Sequence, residues 1–222
     1  MSYRIIRNGE SRSFPGEPPF IENASEMADA RVSLGCGGGW QFASDRPTLV
    51  GSRFVAIELG DECLGVYLGD DGATDAGRAA TKNVFGFARF RLGRAESTAL
   101  VELVTPAEYE TEALAAAKSV FEAAGLVVAV CGDFPGRIVN RLVRPYYNAV
   151  LRRLDEKLAS AADLDTTLRL GLGYPVGPVE LLQRTGLDEH FLVTQALYEA
   201  LGDPAYAPAR LARNAHLSHR TG

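Results

Sequence analysis

Histidine is nearly absent from this chain. The three it has, His190, His216 and His219, all lie in the C-terminal stretch, so a mechanism that needs an imidazole from earlier in the sequence has none to use. Cysteine is equally sparse. Cys36, Cys63 and Cys131 are odd in number, scattered and without a C-x-x-C pair, which argues against a disulfide framework or a zinc site, so no metal is expected. No apolar run approaches the roughly 18 residues of a membrane span. The opening MSYRIIRNGESRSF carries charges where a leader peptide needs an apolar core, and the chain therefore reads as cytoplasmic. Basic residues do not exceed acidic ones: 23 against 28 give a net charge of −5, with no cationic stripe to displace counterions, so nucleic acid is not an expected partner.

What is present is an apolar fraction of 46% over 222 residues, enough for one large domain or two small ones. From residue 84 the pattern is legible. NVFGFARF (83–90) and TALVELV (98–104) have strand length and composition. TPAEYETEALAAAKSVFEAAG follows as a helix, with Thr105 as cap, Pro106 in the first turn, Glu108 completing a capping box and Gly125 as the stop. Leu114, Ala117, Phe121 and Ala124 share one face. LVVAVCGD (126–133) is a continuous apolar run, read as a strand buried on both faces of a parallel sheet and closing a βαβ unit. Beyond DFPG (133–136) the period is helical. Ile138, Leu142, Tyr146, Val150, Leu154 and Leu158 recur every four residues along one long amphipathic helix that Pro145 should kink. Ser160 and Asp163 open a second helix, a third starts near Pro178, and a fourth runs from Asp188 to Leu201 with Gly202 as its stop. In the first 83 residues YRIIRN, RVSLG, RFVAIELG and CLGVYLG read as short strands, with helical character in ENASEMADA.

The string DFPGRIVNRLVRPYYNAVLRRLDEKLASAADLDTTLRLGLGYPVGPVELLQRTGLD resembles the C-terminal domain of the 3-hydroxyacyl-CoA dehydrogenases. The resemblance is carried by Asp133, Pro135, Gly136, Asn140, Arg141, Pro145, Tyr146, the Asp163–Asp165 and Gly171–Gly173 stretches, Pro175, Gly177, Pro178, Glu180 and Gly186–Asp188, and it continues through LYEALGDPAY. It implies an α/β plus all-α fold: a reduced Rossmann-like parallel sheet over 1–132, then over 133–222 a helical dimerisation domain of the 6-phosphogluconate dehydrogenase C-terminal type. The implied reaction is oxidation of L-3-hydroxyacyl-CoA by NAD, and the implied assembly is a homodimer through the helical part. In that reaction hydride passes to the nicotinamide while a histidine, steadied by a glutamate, takes the hydroxyl proton. The glutamate matches Glu102, and an asparagine that keeps the reacting groups in register matches Asn140. The histidine position, twelve residues before the glutamate, is Phe90, which cannot accept a proton. Glu62 and Cys63 stand near the place of a neighbouring serine.

The glycine run RVSLGCGGGWQF poses a separate question. A dinucleotide loop needs G-x-G-x-x-G between a strand and a helix, with an acidic residue about 20 positions on. Counting from Gly35 gives Gly35, Gly37 and Trp40, with Glu58 and Asp61 at suitable distances and Pro47 too close for a full helix. The register implied by the resemblance instead places residues 24–35 at the approach to the fourth Rossmann strand. About 30 residues then precede it, too few for β-α-β-α-β, and the glycines become a loop beyond that strand with no pyrophosphate seat and no assigned cofactor-binding residues.

Two functions remain open on these residues. One is a hydroxyacyl-CoA dehydrogenase relative using another base; the other is a catalytically silent paralogue that binds an acyl-CoA thioester or another subunit. Glu102 is a dyad member or a strand-end carboxylate, and Asn140 orients a ligand or bridges the kinked helix. The histidines read as surface groups of terminal helices, Cys63 and Cys131 as small buried groups, and Trp40 as packing. Arg141, Arg144, Arg152 and Arg153 are a solvated face or an attraction for CoA phosphates.

Overall fold

The computed structural model describes residues 2–16, 18–19, 25, 28–45, 49, 51–69 and 81–219. The helix expected in ENASEMADA falls largely outside them. The chain forms two compact units, residues 1–90 with 97–137 and residues 91–96 with 138–222.

The first unit is built on six strands: β1 (Arg4–Arg7), β2 (Ala30–Leu34), β3 (Phe54–Glu58), β4 (Val84–Arg89), β5 (Leu100–Thr105) and β6 (Val127–Gly132). They lie in the sheet in chain order. β1 to β4 are mutually parallel, β5 turns antiparallel to β4, and β6 runs parallel to β5. Among the described residues three helices accompany them: α1 (Gly38–Asp45), the single turn α2 (Gly65–Leu68) and α3 (Thr111–Ala123).

Alternation along the strands divides the side chains between two faces. Val32, Leu34, Phe54, Ala56, Phe85, Phe87, Val101 and Leu103 pack with Ala113, Ala117, Val120 and Phe121 of α3. Val55, Ile57, Val84 and Val104 pack with Phe42 of α1 and with Leu64, Tyr67 and Leu68 around α2. The reversal at β5 explains the division: with strand order still advancing, crossovers of one hand put α1 and α3 on opposite faces.

Four expectations for this unit are corrected. CLGVYLG is not a strand; its apolar Tyr67 and Leu68 are adjacent on the α2 turn, and both are buried. α3 starts at Thr111 rather than at Pro106, because Thr105 stays in the ladder opposite Gly132 and the chain does not turn until Glu110, whose N–H donates to the Lys82 carbonyl at 2.9 Å. β6 is not covered on both faces: it is the outer strand, with Val127 63% exposed. The glycine run is not only a loop, since α1 begins at Gly38.

The second unit is helical: α4 (Val139–Asp155), α5 (Ala161–Leu172), α6 (Pro178–Thr185), α7 (Leu187–Leu201), a 3-10 turn (Pro204–Tyr206) and α8 (Arg210–His219). The signals at its ends act as read. The Ser160 side chain accepts from Asp163 N at 3.1 Å, Pro178 opens α6, and Gly202 closes α7 in the left-handed conformation. Residues 91–96 dock here: Arg94 N donates to the Thr185 carbonyl at 2.7 Å, and its guanidinium pairs with Asp188.

α4 turns the unexpected way. Its buried side chains are Asn140, Arg144, Asn148, Val150 and Leu151, while Leu142 of the apolar row is 71% exposed. Half of the hydrophobic row faces outward because a polar network fills the inner side.

Candidate functional site

Glu102 sits in the middle of β5, opposite Ala88 on β4 and Ala129 on β6. It is 1% exposed. Its Oε2 lies 3.4 Å from Nε of Arg137, which is itself buried and donates through Nη2 to the Gly60 carbonyl at 2.9 Å. The turn after β6 delivers that guanidinium: Gly136 and Arg137 both have positive φ, 77° and 50°. Left-handed backbone is unfavourable for an arginine, by about 1–2 kcal/mol, and the two contacts hold it there. The residue that the sequence reading missed is therefore Arg137, an arginine directly after a glycine turn.

Phe90 follows β4, half-buried, with its N–H and carbonyl in bonds to Leu100 and Thr98. Glu62 accepts from the Tyr67 hydroxyl and from Gly60 N, both at 2.9 Å. The Cys63 thiol is pushed up by burial and then by Asp133, and Cys131 is pushed up to about 11 by burial and by Glu102, so neither is poised as a thiolate. Asp133 accepts from Leu64 N and Gly65 N, both at 2.8 Å, and so fixes the start of α2.

Asn140 belongs to the second unit, where its Oδ1 accepts from Arg144 Nε at 2.9 Å. Arg144 Nη1 lies 2.9 Å from His190 Nδ1, and His190 Nε2 lies 3.0 Å from Asn148 Oδ1. Guanidinium only donates, so Nδ1 accepts, the proton rides on Nε2, and Asn148 receives it. His190 is thus buried rather than superficial, and its pKa is pushed down to about 3 by burial and then by Arg144. Arg144, 1% exposed, is likewise no part of a solvated face. Asn140, Arg144 and Asn148 are spaced by four, and that polar row is the signal that could have revealed the network. The three histidines all belong to the second unit.

The glycine turn is a strand–turn–helix, as a phosphate loop would be, but the N–H groups of Gly35 to Gly38 are taken. Gly35 N donates to Glu58 Oε2 at 2.7 Å, Cys36 N to the Glu10 carbonyl at 3.1 Å, Gly37 N to the Asn8 carbonyl at 3.0 Å and Gly38 N to the Gly35 carbonyl at 2.9 Å. Gly35 needs its φ of 95°, and a Cβ there would strike the Asn8 carbonyl. Trp40, at the third-glycine position, is 63% exposed and meets Tyr67 edge-on rather than filling a core. Nor does the strand order reverse among the described residues, and it is at such a reversal that doubly wound sheets open a crevice for a nucleotide. These residues do not fit the pyrophosphate of NAD. Among the described residues no cluster of His, Cys, Asp and Glu could hold a metal ion, and no helix is long and apolar enough to cross a membrane.

The family model described as 3-hydroxyacyl-CoA dehydrogenase, C-terminal domain, matches residues 136–222. A 3-hydroxybutyryl-CoA dehydrogenase of Bradyrhizobium diazoefficiens is 36% identical over 112 residues, 50% of this chain and 38% of that protein. The mitochondrial hydroxyacyl-coenzyme A dehydrogenase of Homo sapiens is 45% identical over 69 residues, 31% of this chain and 22% of that protein. The chain spans well under half the length of these curated relatives. Among solved structures, an (S)-3-hydroxybutyryl-CoA dehydrogenase from Ralstonia eutropha shares the fold with a TM-score of 0.69 at 22% identity, covering 92% of this chain and 69% of that one. A 3-hydroxybutyryl-CoA dehydrogenase from Escherichia coli gives 0.70 at 22% identity, covering 87% and 40%. Residues 136–222 are thus similar to the C-terminal domain of the 3-hydroxyacyl-CoA dehydrogenases.

Proposed function

We propose that this chain is a catalytically silent relative of the 3-hydroxyacyl-CoA dehydrogenases that acts in the cytoplasm as a homodimeric partner subunit, using the helical unit for association. The observation that carries the reading is the buried pair of Glu102 and Arg137. Oxidation of a hydroxyl needs a group that takes a proton and a second group that stabilises the cation formed. A guanidinium stays protonated at any physiological pH and has no lone pair to offer. Glu102 therefore spends its charge on a partner that cannot relay a proton, and Phe90, at the place implied for the base, has no acceptor atom. A general base is worth roughly 10²–10⁴-fold in rate, and the closed glycine turn removes the hydride acceptor's seat as well.

The association role is supported by apolar side chains facing outward from the helices. Leu142 on α4 and Leu170 and Leu172 on α5 are 71%, 83% and 60% exposed, and α5 buries none of its side chains. An acyl-CoA thioester is the ligand class that the relatives' names carry.

Purified chain mixed with acetoacetyl-CoA and NADH is expected to leave the NADH absorbance constant, and measurable turnover would overturn the silent reading. Light scattering is expected to give a dimer that Leu142→Asp together with Leu170→Asp converts to monomer; a monomeric parent protein would defeat the association role. Calorimetry with acetoacetyl-CoA decides whether the subunit also holds the thioester.

A further inference from the structure

We propose that residues 8–16 form a built-in strap that permanently fills the carboxyl ends of the parallel strands, where sheets of this class hold a nucleotide, with Glu58 serving as the chain's own anion. In open α/β sheets ligands lie outside those strand ends. Here the chain leaving β1 covers them in turn. Past β2, the Glu10 carbonyl accepts from Cys36 N at 3.1 Å. At the end of β3, Ser13 N donates to Glu58 Oε1 at 2.6 Å. At the end of β4, Arg89 donates its backbone N–H to Ser13 Oγ and its Nη1 to the Ser13 carbonyl, both at 3.1 Å. Phe14 packs against Phe87 with ring centroids 6.3 Å apart and lies under the Arg89 guanidinium.

The strap lies on the surface but is pinned inward at three positions. Ser11, Ser13 and Phe14 are no more than 2% exposed, and Ser11 Oγ accepts from Phe14 N at 2.9 Å. Buried backbone of this kind persists only when its polar groups are paired, as they are here.

Glu58 ties strap and glycine turn together. One carboxylate oxygen takes Ser13 N and the other takes Gly35 N. Backbone N–H groups converging on one oxyanion are what such a turn offers a phosphate, and the protein meets that demand internally. The space remaining outside, about 290 Å3, is lined by Glu10, Glu58, Asp61 and Glu62. Arg12 lies on the same wall, already 3.3 Å from Asp61. A pyrophosphate would meet like charge there.

The inference does not depend on Glu102: a chain with its base restored would still have no seat for the cofactor. The intact protein is titrated with NADH, followed by NADH fluorescence, and backbone amide exchange is recorded with and without it. No saturable binding is expected, with Ser13 and Gly35 amides protected and indifferent to NADH. In Glu58→Ala both amides are expected to exchange faster by roughly tenfold or more, the effect of losing a hydrogen bond to a charged acceptor. Added acetate should raise the melting temperature of that variant and leave the parent unchanged. Saturable NADH binding by the parent overturns the strap, as do unchanged Ser13 and Gly35 protection in the variant. A variant indifferent to acetate removes Glu58 from the role of anion, and if Glu58→Ala does not fold, the parent titration and exchange decide alone. NADH binding without turnover sinks this inference and spares the silent reading of Glu102; turnover sinks that reading.

Discussion

Tyr206 donates its hydroxyl hydrogen to the Arg141 carbonyl, 3.0 Å away. That carbonyl is the one Pro145, four residues further along α4, cannot serve, because proline has no N–H. A residue from the 3-10 turn thus repairs the hydrogen-bond ladder inside a helix.

Tyr206→Phe is expected to lower unfolding free energy by about 1–3 kcal/mol, since it leaves a carbonyl unsatisfied. Adding Pro145→Ala should recover most of the loss, because alanine restores the missing donor. Urea denaturation of the two single variants and the double variant tests the coupling. Simple additivity would mean the hydroxyl is not the substitute donor.

His190 predicts a pH dependence. Its pKa is about 3 in the fold, against an ordinary value near 6.5, so below 6.5 the unfolded chain binds a proton that the folded chain refuses. The stability from the neutral imidazole is fully present above pH 6.5 and declines as pH falls towards 3, by at most roughly 1.4 kcal/mol per pH unit. Melting temperatures from pH 7 to 4 should fall more steeply for the parent than for His190→Gln. Parallel curves would show that the imidazole is not held neutral.

The Glu102–Arg137 pair should resist being halved. Glu102→Gln or Arg137→Met alone is expected to cost about 3–5 kcal/mol, because each strands a buried partner, whereas the double replacement should cost much less. Chemical denaturation of all three variants is the measurement, and equal losses summing in the double variant would contradict the pairing.

Asp165 holds the start of α6 by accepting from Val179 N at 2.8 Å and Glu180 N at 2.9 Å. Asp165→Ala should cost about 0.5–2 kcal/mol, the usual value of a helix cap. Gly177→Ala should also destabilise, since its new methyl would run into the Asp165 side chain. A neutral result for both in thermal melts would refute the cap.

The helical unit was largely legible because its ends are written locally, in Ser160 with Asp163, in Pro178 and in Gly202. The interior of α4 was not, because a period of four marks an apolar row without saying which side is inward. That choice was made by Arg144 and His190, which lie 46 residues apart. The start of α3 misled for a similar reason: Thr105 has the chemistry of a cap, but pairing with β6 claims its backbone first. Glu102 lies on the strand and Asn140 on the helix that the sequence implies; the Arg144 partner of Asn140 is one helical turn away, whereas nothing near Glu102 in the sequence points to its arginine. Arg137 reaches Glu102 only through the left-handed turn at Gly136.

A sheet whose spatial order is its chain order also has a history built into it. Each strand from β1 to β6 can dock on the edge left by its predecessor as the polypeptide emerges, and none must be threaded between two already in place. Neighbours in space being neighbours in sequence limits each parallel pairing to the closure of a single crossover. The sheet of the first unit can therefore grow from one edge during synthesis, strand after strand.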